Sequence, residues 1–240
     1  MSGDDDATRY VDGEQRLKHG YTNATSTDGR TVIKRYVGPD AYARQANEVA
    51  ALTGLAGRFP VPPLLAVSDG QIEVGWMPGV PGQELLERRP EDVLFSVGRT
   101  GHQLHRLPRL ESDSPAAEAA HPPGVVLVHG DFGPQNMLFD PASAAVTAVL
   151  DWELAGRGSF VEDLAWAEWI VRFHHAELTF ALPALFEGYG ERPPWPRRHQ
   201  AMLSKCQWAL EFVRRWWPHD EMGAVALWQH RIATTAAFRE

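Results

Sequence analysis

Residues 128–136 read VHGDFGPQN and begin at the end of a short apolar run that predicts a buried strand. Within this stretch, Asp131 and Asn136 lie five positions apart. A second predicted strand, residues 146–150, leads directly into Asp151, fifteen positions beyond Asn136. This order of strand, loop, strand and aspartate places three oxygen-bearing side chains at the ends of adjacent short strands. The stretch therefore decides both the fold and the chemistry that the sequence predicts.

These three side chains suit phosphoryl transfer, which needs positioning, metal charge and a base more than covalent chemistry. The amide and carboxylate oxygens of Asn136 and Asp151 are the kind of ligand that Mg²⁺ prefers, and the ion would hold a polyphosphate. Asp131 is left to face an incoming hydroxyl group and to accept its proton. The alternative interpretation is a turn aspartate with a capping asparagine, because both residue types favour loops.

The segments HGDFGPQN, LDWELAG and EDLAW together resemble the aminoglycoside phosphotransferase and choline kinase family of small-molecule kinases. The spacing of Asp131 and Asn136 equals that of the protein-kinase catalytic loop, but Gly130 stands where protein kinases place arginine. The resemblance covers residues 17–170 and implies that the chain binds ATP and Mg²⁺. It also implies that Asp131 is the catalytic base and that Asn136 and Asp151 are the metal ligands.

The resemblance further implies a nucleotide-binding lobe in the first third of the chain. Lys34, late in the predicted strand 31–36, would bind the phosphates, and Glu48, on the predicted helix 40–56, would hold the lysine. A surface lysine and a solvated helix acid are the alternatives for these two residues. The other implied nucleotide contacts are a phosphate-covering loop with Gly20, Thr22 and Asn23, and hinge backbone groups near Gly75 and Met77.

The fold class that the resemblance implies is α+β, a bilobal protein-kinase-like fold with a small β-rich N-lobe and a mainly helical C-lobe. Residues 78–82 read PGVPG, a run of helix and strand breakers that separates a strand-rich part from a helix-rich part. We therefore expect an N-terminal nucleotide-binding lobe over residues 1–77 and a C-terminal catalytic and acceptor-binding lobe over residues 78–240.

The composition argues against several classes of protein. The 240 residues include 31 acidic and 23 basic side chains, a net charge of −8 that disfavours nucleic acid as a partner. A single cysteine, Cys206, excludes a disulfide framework and a cysteine-built zinc site. No apolar run approaches the ~18–20 residues of a membrane span, and the acidic start is not typical of a secretion signal. We expect a cytoplasmic protein with no membrane partner.

The distribution of charge along the chain bears on the acceptor. Residues 80–156 carry 11 acidic and 5 basic side chains, which predicts a cationic acceptor such as an aminoglycoside or another ammonium-bearing alcohol. The alternatives are a housekeeping kinase of an amino alcohol, sugar or vitamin alcohol, a nucleotide-binding module without turnover, and a kinase that phosphorylates protein, which the lack of an activation segment disfavours. Residues 106–128 are short where the family usually has a helical insertion, so the acceptor site is either open or closed by another subunit.

Several polar residues beside the motif have two interpretations. Asp163 either pins the catalytic loop by accepting backbone N–H groups, as a family aspartate does, or is an ordinary acid at a helix start. His129 is expected to be structural, bonded to backbone behind the loop. His102 and His105 are expected to be histidines on a helix surface. Glu153 either supports the site from behind or faces the acceptor.

Overall fold

The structure of the protein is a computed structural model that describes residues 15–16, 23–108, 124–216, 219 and 223–240. An antiparallel sheet with one helix comes first along the chain, and a mainly helical part follows, as the sequence predicts. Among the helices of the described residues, none is long and apolar enough to cross a membrane.

The first part is a five-stranded antiparallel sheet in the order β1-β2-β3-β5-β4. Its strands are β1 (Gln15–Arg16), β2 (Asn23–Thr27), β3 (Thr31–Tyr36), β4 (Leu64–Ser68) and β5 (Gln71–Gly75). Strands β2 and β3 form an antiparallel hairpin, in which Asn23 pairs with Tyr36 and Thr27 with Val32. The Asp28 carboxylate holds its turn by accepting the N–H groups of Arg30 at 2.8 Å and Thr31 at 2.7 Å.

One helix, α1 (Ala41–Leu55), packs on this sheet. Its buried face includes Leu52 and Leu55, which belong to the same apolar core as Ile72 of β5. Gln45 fastens the helix to the turn between β4 and β5, because its side-chain amide donates to the carbonyl groups of Ser68 and Gln71. The helix is therefore held rigidly against the sheet, and residues on its buried face have fixed distances to β3.

In the described residues, the second part contains six α-helices, three short 3₁₀ turns and two small sheets, and the α-helices and strands are labelled here. In chain order they are β6 (Val80–Pro81), α2 (Gly82–Leu86), α3 (Pro90–His105), β7 (Val125–Val128), β8 (Met137–Phe139), β9 (Val146–Val149), β10 (Gly156–Ser159), α4 (Phe160–His174), α5 (Leu182–Tyr189), α6 (Trp195–Trp216) and α7 (Ala224–Ala236). Strand β7 pairs with β10, and β8 lies between β6 and β9, all antiparallel. The predicted boundary after residue 77 stays a prediction.

Helices α3 and α5 touch through their backbones. A Cβ atom at Gly98 would overlap the carbonyl oxygen of Leu185, and one at Gly188 would overlap the carbonyl oxygen of Phe95. Glycine at both positions therefore allows an approach that any side chain would prevent. A separate aromatic core joins α4 to α6 and α7, built around Trp169.

The two parts of the chain meet at the motif region. The N–H of Val149 donates to the carbonyl of Pro60 at 2.8 Å, and the ring of Phe59 packs edge-on against Trp152. Helix α1 also contacts the short 3₁₀ turn Trp152–Leu154. This junction places β3 and α1 of the first part directly beside the ends of β7 and β9.

Candidate active site

Asp163, near the start of α4, holds the loop that follows β7. Its buried carboxylate accepts the backbone N–H groups of His129 at 2.8 Å and Gly130 at 3.0 Å. His105 of α3 approaches the same carboxylate with Nε2 at 3.1 Å. Burial raises the pKa of Asp163, but the hydrogen bond and charge of His105 outweigh it and hold that pKa below its ordinary value. The loop-pinning interpretation of Asp163 is confirmed.

The expectation that His105 lies on the helix surface is wrong. Its side chain is buried between Asp163 and Tyr189, whose hydroxyl lies 3.1 Å from Nδ1. The physical reason is the helix period, since His105 lies eleven, seven and four residues after Leu94, Gly98 and Gly101 on the buried face of α3. His102 is half-buried.

Gly130 has a backbone conformation that the loop requires. Its φ angle is +83°, in the left-handed region that favours glycine, and a Cβ atom there would overlap the carbonyl oxygen of Leu154. Any larger residue would push the loop away from the segment after β9. The absence of the protein-kinase arginine at this position therefore has a local steric cause in this chain.

His129 connects the two strand ends and is structural, as expected. Its Nε2 lies 2.8 Å from the carbonyl oxygen of Leu150, and its Nδ1 accepts the N–H of Asp131 at 3.2 Å. This pattern places the imidazole proton on Nε2. The buried ring packs against Trp152 at a centroid distance of 4.6 Å. The imidazole therefore fixes the distance between the loop of Asp131 and the end of β9.

The carboxylate of Asp131 is held by side chains from its own loop and from α4. Trp166 donates its indole N–H to Oδ1 at 2.6 Å, and Asn136 donates its amide N–H to Oδ2 at 2.8 Å. Gln135 approaches Oδ1 at 3.4 Å. Sequence reasoning missed Trp166, although its place three residues after Asp163 on the same helix was a usable signal.

Lys34 lies at the junction of the two parts. Its Nζ is 2.5 Å from Glu48 Oε2 on α1 and 2.5 Å from Asp151 Oδ1 after β9, and Glu153 Oε2 is 3.6 Å away. Burial pulls the pKa of Lys34 down, but the charges of these carboxylates outweigh it and raise the pKa above its ordinary value. The lysine therefore keeps its positive charge. Both Lys34 and Glu48 are buried, unlike a surface lysine and a solvated acid.

Asp151 and Asn136 lie side by side. The N–H of Leu150 donates to the carbonyl of Asn136 at 2.8 Å, and Asp151 follows with a φ angle of +63°. A non-glycine residue in this region carries strain of the kind that accumulates at functional sites. The amide nitrogen of Asn136 is used by Asp131, which leaves its Oδ1, and Asp151 keeps one carboxylate oxygen besides the one on Lys34. These oxygens fit a hard divalent cation.

A second group of oxygens, from Glu48, Asp151 and Glu153, also lies within metal-ligand reach of one another. The ammonium group of Lys34 already lies among these three carboxylates. We interpret this group as the lysine's charge partners rather than as a metal centre.

Glu153 supports the site from behind. Its buried carboxylate accepts from Asn23 at 2.5 Å and from Arg44 of α1 at 3.1 Å, while the guanidinium of Arg44 also donates to Asn23 Oδ1. Arg44 is not among the site residues predicted from the sequence. Asn23, one of the three residues predicted for the phosphate-covering loop, therefore connects β2 to α1 through its side chain. The other two, Gly20 and Thr22, lie outside the described residues.

The predicted hinge follows β5. Gly75 is the last residue of that strand, and its N–H donates to the carbonyl of Pro63 at 2.9 Å. That donor is therefore occupied within the sheet. Met77 lies two residues further, in the segment that leads to β6, and is half-buried.

A sequence profile of the phosphotransferase enzyme family matches residues 14–123 and 113–201. A choline/ethanolamine kinase family protein from Mesorhizobium loti has a similar structure, with a TM-score of 0.66 and 20% identity over 93% of this chain and 87% of that chain. A streptomycin–ATP ternary complex of the enzyme APH(2")-IIa matches with a TM-score of 0.60 and 12% identity, over 89% and 90% of the two chains. The macrolide 2'-phosphotransferase MphH from Brachybacterium faecium matches with a TM-score of 0.58 and 21% identity, over 95% and 92%.

Two curated proteins match over a short segment. Acyl-CoA dehydrogenase family member 11 of Gallus gallus is 54% identical over 41 residues, which are 17% of this chain and 5% of that protein. Acyl-CoA dehydrogenase family member 10 of Mus musculus is 51% identical over 41 residues, 17% of this chain and 4% of that protein. This chain therefore spans only a small fraction of the length of either protein.

Proposed function

Because the chain belongs to the phosphotransferase enzyme family, we propose that it transfers the γ-phosphoryl group of ATP, in the presence of Mg²⁺, to a hydroxyl group of a small molecule. Its fold is the protein-kinase-like fold of the solved small-molecule kinases, and it is a phosphotransferase enzyme. The observation that carries the proposal is the meeting of Lys34, Asp151, Asn136 and Asp131 at one junction between the sheet and the helical part.

On the nucleotide side, Lys34 would bind the α- and β-phosphates while Glu48 holds its ammonium in place. The 2.5 Å contact between them supports this role, because a buried and permanently charged lysine is ready for an anionic ligand. Residues 1–77 would form the nucleotide-binding lobe, with backbone groups near Gly75 and Met77 facing the base. Complexes of structural neighbours with ATP or ADP support ATP as the donor.

Asn136 and Asp151 would hold Mg²⁺, since their remaining oxygens are hard ligands at the ends of adjacent segments. When bound, the ion neutralises charge on the phosphate oxygens. Residues 78–240 would supply this site together with the acceptor pocket. The three-carboxylate group around Lys34 contributes one of the two proposed ligands, Asp151, so the lysine and the metal would share that carboxylate.

Asp131 would orient the acceptor hydroxyl and accept its proton as the oxygen bonds to phosphorus. Two neutral donors, the indole of Trp166 and the amide of Asn136, hold one carboxylate oxygen each. They fix the direction of the carboxylate without supplying it with a proton of their own. A base held in one orientation is already positioned for reaction, and positioning of the reacting groups is a main contribution of the protein to phosphoryl transfer.

The acceptor classes to test first are those that the sequence favours and those that the names of the structural neighbours mention. They are aminoglycosides and other antibiotics, whose phosphorylation would confer resistance, and amino alcohols and sugars, which a housekeeping kinase would use. The solved neighbours include kinases of aminoglycosides and a macrolide, so the fold by itself accommodates chemically different alcohols.

The test is ADP release from MgATP across such a panel, with Asp131→Asn beside the unaltered protein. We expect acceptor-dependent ADP release that falls by at least about 100-fold in Asp131→Asn, because the base is lost while the amide keeps the shape. Asp140→Asn is the matched control, since Asp140 lies in the exposed turn between β8 and β9. Acceptor-dependent turnover that survives in Asp131→Asn would contradict the assignment of the base, and failure to bind MgATP would contradict the kinase function itself.

A further inference from the structure

Lys205 of α6 brings a positive charge to the neighbourhood of the proposed base. Its Nζ lies 3.9 Å from the ring centroid of Trp208 and 5.8 Å from that of Trp166. Trp166 is the residue that donates its indole N–H to Asp131. The ammonium and the carboxylate of Asp131 therefore lie against the same indole, on the side of the site formed by α4 and α6.

Indole rings lie beside this ammonium, whereas the carboxylates of the described residues lie further away. Among the described residues, no acidic oxygen lies within ion-pair distance of Lys205, although Asp131, Asp163 and Glu162 act on it from further away. Burial lowers the pKa of Lys205 below its ordinary value, and the charge of Asp131 opposes that effect. A half-buried cation in this situation gains most from an anion that enters with a ligand.

Three of the eleven acids of residues 80–156 are engaged in other contacts. Glu153 is paired with Arg44, Asp92 is paired with Arg89, and Asp140 accepts N–H groups within its own turn. The exposed indole of Trp208 would suit a cationic ligand, but Lys205 already covers one of its faces. An ammonium group placed next to the reacting hydroxyl would therefore meet a like charge.

We propose that Lys205 binds an oxyanion of the acceptor, so that the substrate is an alcohol carrying a carboxylate or phosphate close to the hydroxyl that is phosphorylated. The inference rests on the proposed kinase function and specifies its substrate class. The anion pairs with the ammonium, the hydroxyl faces Asp131, and the apolar part of the acceptor lies along the exposed indole of Trp208. Lys205 is thus a specificity-determining residue, which discriminates by charge between acceptors of equal size.

Two matched acceptor series test the proposal, one of glycerate, glycerol and 3-amino-1,2-propanediol and the other of glucuronate, glucose and glucosamine. Each series keeps the hydroxyl groups and changes the charge of one substituent. We expect kcat/KM to fall from the acid to the neutral compound to the amine, by about 10- to 100-fold between acid and neutral compound, as for a charge-assisted hydrogen bond. Lys205→Met should raise KM for the acid by about 10-fold or more and narrow the preference, and Lys205→Glu should invert it toward the amine.

Arg214→Met is the matched control, because Arg214 is an exposed cation on the same helix, where it pairs along the surface with Glu211. It should leave the order of the three acceptors as it is. A preference of the unaltered protein for the amine would overturn the proposal. So would an equal loss for acid, neutral compound and amine in Lys205→Met, which would assign the cation to the transferred phosphoryl group instead.

Calorimetric measurement of MgATP binding in the same samples separates the role of Lys205 from the proposed kinase function. Turnover of neutral or amine acceptors without turnover of acids overturns the charge assignment and leaves the kinase function standing. Bound MgATP with no turnover in either series also counts against Lys205 as a reader of acidic alcohols. Absence of MgATP binding overturns the proposed function itself.

Discussion

Replacing Gly130 by alanine tests whether the loop before Asp131 depends on one backbone conformation and one close contact. The residue has a φ angle of +83°, and a Cβ atom would overlap the carbonyl oxygen of Leu154. A non-glycine residue in the left-handed region costs about 1–2 kcal/mol. Relieving the overlap requires the loop or the segment after β9 to shift, and such overpacking costs about 1–3 kcal/mol.

We therefore expect Gly130→Ala to lower the free energy of unfolding by about 2–5 kcal/mol. For a chain of this length, that corresponds to a Tm lower by roughly 5–15 °C. The shift also moves the adjacent Asp131, and a displacement of about 1 Å at a reacting group lowers kcat/KM by about 100-fold. Denaturant unfolding and ADP release with a competent acceptor measure the two effects separately.

Gly190→Ala is the matched control for the backbone part of the effect. Gly190 ends α5 with a φ angle of +85°, almost the same as that of Gly130, but nothing lies within 4 Å of the Cβ position. It should cost only about 1 kcal/mol, because the dihedral penalty is partly offset by a stiffer unfolded chain. Equal stability and equal kcat/KM for the two alanine variants would refute the argument from the Leu154 contact.

Two further predictions concern the support of the site. Asp163→Asn should destabilise the protein by about 2–3 kcal/mol at pH 7, because an amide leaves one buried N–H of the loop without an acceptor. Burial raises the pKa of Asp163, but His105 outweighs that effect and holds the pKa below its ordinary value, so the carboxylate stabilises the fold above about pH 4 and loses this contribution as the pH falls. The difference between the urea midpoints at pH 7 and pH 3 should therefore be smaller in Asp163→Asn than in the unaltered protein. An equal difference in the two proteins would argue against the assignment. Gly98→Ala should lower the free energy of unfolding by about 2 kcal/mol, although alanine has the better helix propensity, because the added Cβ would overlap the carbonyl of Leu185. Gly156→Ala is the control, since the Cβ position there is open, and it should unfold at nearly the same denaturant concentration as the unaltered protein.

Much of the local structure was predictable from the sequence. The strand predicted over residues 31–36 and the helix predicted over residues 40–56 depend on preferences within a few residues, and they form where expected as β3 and α1. The residue types of the candidate site were also predictable, because a metal ligand or a base must be a particular side chain at a strand end. For this reason, the candidate residues Asp131, Asn136 and Asp151 came from the sequence without reference to any contact.

The contacts between distant segments were not predictable in the same way. The hydrogen bond from Trp166 to Asp131 joins residues 35 positions apart, and that from Arg44 to Glu153 joins residues 109 apart. Lys205 comes to this side of the site because α6 packs on α4. Local periodicity indicates which face of a helix is apolar, but not the neighbour that this face will meet.

The family, the order of strands and helices, and the residue types that phosphoryl transfer requires therefore follow from the sequence alone. The partners of those residues follow from tertiary packing: Asp163 is buried and accepts N–H groups of the loop, Glu153 pairs with Arg44, and His105 is buried. The physical reason is that short-range preferences act along the chain, whereas the partners of a polar side chain depend on how rigid helices and strands pack in three dimensions.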